Sequence, residues 1–163
     1  MRVCVGIDPG KTGAVAYVSD GGAPNVDSLP VVGSTKGRTR YDPHAFASLL
    51  IRLSKNLAIS IVTVEQLHAL PRTMGGGIAN YARGEAMGVI WTLAALRVPF
   101  QLVSPQRWQA AMLVGAAGTD TKQRALVAAK RLFPGVSWSE FPAKWRTGAA
   151  EALLIAEWGR RHH

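Results

Sequence analysis

Two runs of β-branched and other apolar residues in this chain each end in an acid. VCVGI at residues 3–7 runs straight into Asp8, and AISIVTVEQL at residues 58–67 carries Glu65 where its apolar stretch gives out. A short unbroken apolar run bounded by turn residues is the pattern of a strand buried on both faces. Between the two, residues 43–56 (PHAFASLLIRLSKN) place apolar side chains at helical spacing behind Asp42, a good helix N-cap. A strand, a crossover helix and a second strand demand an α/β sheet. Each of its core strands delivers a carboxylate to an end.

The remaining segments fill out that sheet. AVAYV at residues 14–18 follows a short glycine-containing turn and makes a hairpin with the first strand. Residues 26–32 read as a weaker third strand, which Pro30 assigns to an edge because proline has no N–H to donate. Residues 33–43 (GSTKGRTRYDP) are polar and basic and read as a loop, and residues 68–84 as a flexible glycine-rich segment. A helix is predicted over 85–98, a short buried strand over 100–105, and a helix from Pro105 with Ser104 as its cap. Asp120 or Thr121 caps a further helix that Pro134 and Gly135 stop, and TGAAEALLIAEWGRR forms the last one. The expectation is one domain over residues 1–163 with a five-stranded mixed sheet, an antiparallel meander followed by parallel strands, flanked by helices.

At 48% hydrophobic residues the chain can bury a sizeable core, yet its formal net charge is +9, from lysines and arginines scattered between Arg2 and Arg161. A polyanion is the natural partner for such a surface. Cys4 is the lone cysteine, which excludes an intramolecular disulfide and a cysteine-based zinc cluster. No apolar stretch is long enough to span a bilayer, and Asp8 and Lys11 break any signal-peptide profile. A soluble, intracellular protein is expected.

A third acid, Glu151, lies between Ala150 and Ala152 with Leu154 and Ile155 as its i+3 and i+4 neighbours, beside the apolar face of its helix. Glu157, about 120° around the same helix, is expected to face water. An Asx turn would account for Asp8 alone, and a solvent-facing strand end for Glu65 alone. Together, Asp8, Glu65 and Glu151 would repel one another unless a cation such as Mg²⁺ joined their oxygens. Two such ions about 3.5–4 Å apart activate water and stabilise the leaving oxygen in phosphodiester hydrolysis.

At these residues the chain resembles a known family. GIDPGKTGAVAY, VTVEQ, LVSPQRWQ, TKQRALVAAKRLFPG and AAEALLIAEWGRR together resemble the RuvC family of Holliday junction resolvases, particularly its phage and organelle-like branch, over nearly the whole chain. The resemblance implies an RNase H-like fold and a homodimer that makes paired cuts in a four-way DNA junction. It implies Asp8, Glu65 and Glu151 as ligands of Mg²⁺, with Mn²⁺ able to substitute, and no nucleotide cofactor or membrane. It also implies a cytoplasmic setting, the host's if phage-encoded. One position departs: related sequences carry Asp or His where Thr147 stands before Gly148. Thr147 therefore joins the catalytic candidates, and a catalytically impaired or non-catalytic branched-DNA-binding protein is the alternative.

Under this reading Lys36, Arg38, Arg40, Arg72, Arg83, Lys122 and Arg124 contact phosphates. Met74, Asn80 and Tyr81 lie where a side chain would wedge between unstacked bases at the crossover. The run GEAMGVIWTLAA lets two helices approach closely and marks the expected dimer seam. A further rival is the phosphate loop of the actin and sugar-kinase superfamily, which GIDPGKTG also resembles; those enzymes use two such domains, and this chain has the length of one.

Overall fold

The computed structural model describes residues 2–10, 12–33, 39–56, 58–69, 76–95 and 98–163. Five strands form one sheet in the order β3-β2-β1-β6-β7, where β1 is Val3–Ile7, β2 Ala14–Ser19, β3 Asn25–Ser28, β6 Ile59–Glu65 and β7 Phe100–Val103. The first three are antiparallel neighbours. β6 then joins β1 in parallel, and β7 joins β6 in parallel. This is the mixed sheet the residue patterns require. β1 is buried along its whole length, as a central strand covered on both faces must be.

The predicted third strand divides in two. Leu29 donates its N–H to the Gly13 carbonyl at 3.2 Å, and Pro30 has no N–H to continue a ladder. The chain leaves the main sheet there. Val31–Gly33 (β4) pairs instead with Thr39–Tyr41 (β5) as a separate antiparallel ribbon, so part of the expected loop is strand.

Helix α1 (Pro43–Asn56) starts as expected on Asp42, whose carboxylate accepts from the Ala45 N–H at 2.9 Å. Helix α2 spans Gly76–Ala95 rather than starting at residue 85. Glycine lowers helix propensity by about 1 kcal/mol per residue, but tertiary ties hold this start. Arg83 donates to the His68 carbonyl, and Glu85 pairs with Arg40 of β5 at 2.8 Å.

After β7 come α3 (Pro105–Met112), α4 (Thr121–Leu132), two short 3₁₀ turns, and α5 (Arg146–His162). Asp120 is the α4 cap, accepting from the Gln123 N–H at 2.8 Å, whereas the Ser104 side chain makes no capping bond.

Helix α5 lies across β1 and β2, and its position decides where Glu151 points. A methyl group on Gly6 would fall 2.2 Å from the Ala152 carbonyl oxygen, and one on Gly148 would fall 2.1 Å from that of Thr12. Both glycines let backbone meet backbone. Cys4, Ala14, Ala16, Ala152, Leu153 and Ala156 close the core between helix and sheet. A second core lies on the other side of α5, from Val103 and Trp108 to Ala128 and Leu154. The opposite face of the sheet is covered by Phe46, Leu49 and Leu50 of α1. Among the described residues no helix is long and apolar enough to cross a membrane.

Glu157 overturns the expectation of a water-facing side chain. It is 6% exposed, and its carboxylate takes Arg160 Nε at 2.7 Å and Arg161 Nε at 2.8 Å, while Arg160 also reaches Asp20 at 3.0 Å. Burial pushes the carboxyl up, but the hydrogen bonds from Arg160 and Arg161 outweigh it and hold Glu157 below its ordinary value. Two arginines on the next turn replace the water that helical spacing alone assigned to it.

Candidate active site

Asp8 follows the last residue of β1 and is 9% exposed. Its Oδ1 accepts from the Gly10 N–H at 3.0 Å, and its own N–H bonds the Ala14 carbonyl at 3.1 Å. Glu65 ends β6, the parallel neighbour of β1. Glu151 stands in the second turn of α5, at the end that Gly148 seats on the turn before β2. Three elements distant in sequence thus converge at the ends of two neighbouring central strands.

The electrostatics record that convergence. Burial raises the Asp8 carboxyl despite the Gly10 N–H, a hydrogen bond from Glu151 and the charge of Lys122. Burial also raises Glu151, and the charges of Asp8 and Glu65 raise it further. Glu65 is pushed up to about 7, by burial first and by the Asp8 charge, against the opposing effects of Trp108 and Arg83. Burial is the leading cause at all three acids, and the charge of neighbouring carboxylates adds to it at Glu65 and Glu151.

Among the described residues no group of three or more carboxylate, imidazole or thiolate side chains closes into a ready-made metal cage. The chemistry of the three acids fits a hard divalent cation: the donors are oxygens, at least partly buried, and they carry more potential negative charge than Gly10, Trp108 and Lys122 offset. Mg²⁺ needs only one or two carboxylates and keeps several of its waters.

Thr147 occupies the first turn of α5, four residues before Glu151 and half-buried, so the two side chains share a face. Its hydroxyl is neutral.

The expected DNA contacts divide. Lys122 in the first turn of α4 and Arg83 on α2 lie within electrostatic range of the acids. Arg40 is paired with Glu85. Arg124 donates to the carbonyls of Leu113 at 3.1 Å and Ala116 at 3.3 Å and braces the loop before α4. Asn80 and Tyr81 are on α2 rather than in a loop, Asn80 half-buried and Tyr81 67% exposed. Lys36, Arg38, Arg72 and Met74 lie outside the described residues.

No protein-family model matches the sequence, and no curated protein is similar to it. Solved structures are. The RuvC of Thermus thermophilus in complex with a Holliday junction substrate superposes with a TM-score of 0.59 at 19% identity, over 99% of this chain and 97% of that one. A second Thermus thermophilus RuvC structure gives 0.58 at 20%, over 98% and 96%. The fold is that of RuvC.

Two residues beside the acids of this RuvC fold escaped sequence reasoning. Trp108 donates its indole N–H to Glu65 Oε2 at 2.7 Å. Tyr41 donates its hydroxyl to the Pro9 carbonyl, and its own titration is pushed up to about 12 by burial and then by the charges of Asp8 and Glu85. A signal existed for Trp108: it comes four residues after Ser104, directly behind a strand end, and a buried indole needs an acceptor. Tyr41 had none, because its position depends on a ribbon that sequence patterning does not reveal.

Proposed function

We propose that this protein is a structure-selective endonuclease that resolves four-way DNA junctions by Mg²⁺-dependent phosphodiester hydrolysis. The observation that carries the reading is the convergence of Asp8, buried, with Glu65 and Glu151, half-buried, all with raised titrations, at the ends of neighbouring central strands in a RuvC fold. Three acids drawn together with one buried and two half-buried are costly without a cation.

Asp8, Glu65 and Glu151 would hold the metal, which supplies activation of water and stabilisation of the leaving oxygen. The remaining residues act around them. Gly10 holds one Asp8 oxygen, and Trp108 one Glu65 oxygen. A bound cation would favour the ionised form of Asp8 and Glu151, whose titrations are raised without it. Lys122 and Arg83 bring positive charge to the rim, where a scissile phosphate would approach. The net charge of +9 supports binding along the flanking duplex arms. A homodimer meeting along the small-residue face of α2 would present two such sites to opposed strands. Its setting would be the cytoplasm, with the DNA.

A second reading, a branched-DNA-binding protein of the same fold that cuts poorly, is favoured by Thr147 where an acid would complete the ligand set. One experiment separates the two. A synthetic four-way junction and a linear duplex of equal length are titrated with protein and then supplied with Mg²⁺. The nuclease reading requires symmetric paired nicks in the junction. Tight junction binding without nicks at any Mg²⁺ or Mn²⁺ concentration establishes the second reading, and equal affinity for the duplex removes both.

A further inference from the structure

Trp108 is fully buried, and its single polar atom is committed to a candidate metal ligand. The placement follows from the sheet register. Glu65 of β6 stands opposite Val103, the last residue of β7, and α3 begins on Pro105 two residues later. The first turn of α3 therefore sits against the end of β6, and Trp108 Nε1 meets Glu65 Oε2 at 2.7 Å. Val103, Met112, Leu113 and Leu154 share its core cluster. A ring enclosed in this way cannot swing aside, so its N–H is a donor fixed in direction.

We infer that Trp108 is a positioning residue that holds Glu65 as a one-oxygen ligand, reserving Oε1 for a divalent cation and thereby favouring Mg²⁺ over Ca²⁺. The inference rests on the metal-dependent reading above. Mg²⁺ demands a compact octahedron with oxygens at about 2.0–2.1 Å, whereas Ca²⁺ takes more ligands and accepts both oxygens of one carboxylate. An unrestrained Glu65 could offer either mode. With Oε2 occupied by the indole, the two-oxygen mode costs a buried hydrogen bond. Outer-shell groups that orient a ligand commonly contribute 10–100-fold to metal affinity.

The test uses the full chain and the metal ions alone, without DNA. In ¹⁵N-labelled protein titrated with Mg²⁺, the Trp108 indole N–H resonance should shift more than those of Trp138, Trp145 and Trp158, and Glu65→Gln should abolish that shift. Calorimetric titration of Trp108→Phe should show the Mg²⁺ Kd raised about tenfold and the Ca²⁺ Kd raised less, so that selectivity narrows. In a Glu65→Gln background the same substitution should change neither. If Trp108→Phe does not fold, the resonance measurement on the unmodified protein decides alone. A silent Trp108 resonance while Mg²⁺ binds, or equal losses for Mg²⁺ and Ca²⁺, would overturn the positioning role and leave the metal-dependent reading standing. Absence of any Mg²⁺ binding by the unmodified protein would remove both.

Discussion

Without metal, this protein should lose stability as pH rises from acid to neutral, and neutralising one site carboxylate should make it more stable. Glu65 titrates at about 7 in the folded chain against an ordinary value of 4.5. Below 4.5 it is protonated whether the chain is folded or not, and contributes no pH dependence. Between 4.5 and 7 the unfolded chain ionises while the folded one keeps its proton, so rising pH favours unfolding. Above 7 both forms are ionised and the loss is complete. At roughly 1.4 kcal/mol for each pH unit of difference, this one carboxyl costs about 3 kcal/mol at the alkaline end of the window. Asp8 and Glu151 are raised as well and act with the same sign. Glu65→Gln keeps an acceptor for the Trp108 indole but cannot ionise. In EDTA the variant should therefore exceed the parent by about 3 kcal/mol near pH 8, with the two converging near pH 4. Urea unfolding followed by circular dichroism across pH 4.5–8.5 measures it. Saturating Mg²⁺ should restore the parent at high pH, by roughly 2.7 kcal/mol at a hundred times its Kd. A parent as stable at pH 8 as at pH 5 without metal, or a Glu65→Gln variant weaker than the parent at pH 8, would refute the argument from burial and neighbouring charge.

Asp8→Asn should abolish Mg²⁺-dependent junction cleavage while leaving junction affinity nearly intact, because the amide keeps the Gly10 contact but loses the charge; equal loss in a gel-shift assay would point to a structural role. Thr147→Asp should increase the single-turnover cleavage rate at fixed Mg²⁺, since an acid one turn before Glu151 shares its face; a rate no faster than the parent's would establish that three acids suffice. Gly6→Ala should destabilise the fold by about 3 kcal/mol or more, because the added methyl would sit 2.2 Å from the Ala152 carbonyl oxygen and force α5 off the sheet. Thermal unfolding reads the loss, and metal affinity should fall with it as Glu151 moves away from Asp8.

Much of the sheet was legible because strand identity is a local property. β-Branched runs such as VCVGI and SIVTV have one way to bury every side chain, and Asp8 and Glu65 end them because a charge cannot continue into a core. The same locality identified Glu151 and the helix starts at Asp42 and Asp120. What required the tertiary structure was every partnership between distant segments. The nine glycine-rich residues from Gly76 to Gly84 carry weak helix propensity, and α2 begins among them with Arg83 and Glu85 tied to His68 and Arg40. Glu157 reads as a surface acid by angle, but Arg160, one of the two arginines that pair with it, is itself oriented in part by Asp20, across the chain. Trp108 reads as core filling until the parallel register of β6 and β7 lays it against Glu65. Propensity and periodicity describe what a segment does alone; a hydrogen bond between residues 43 positions apart exists only once the sheet has brought them together.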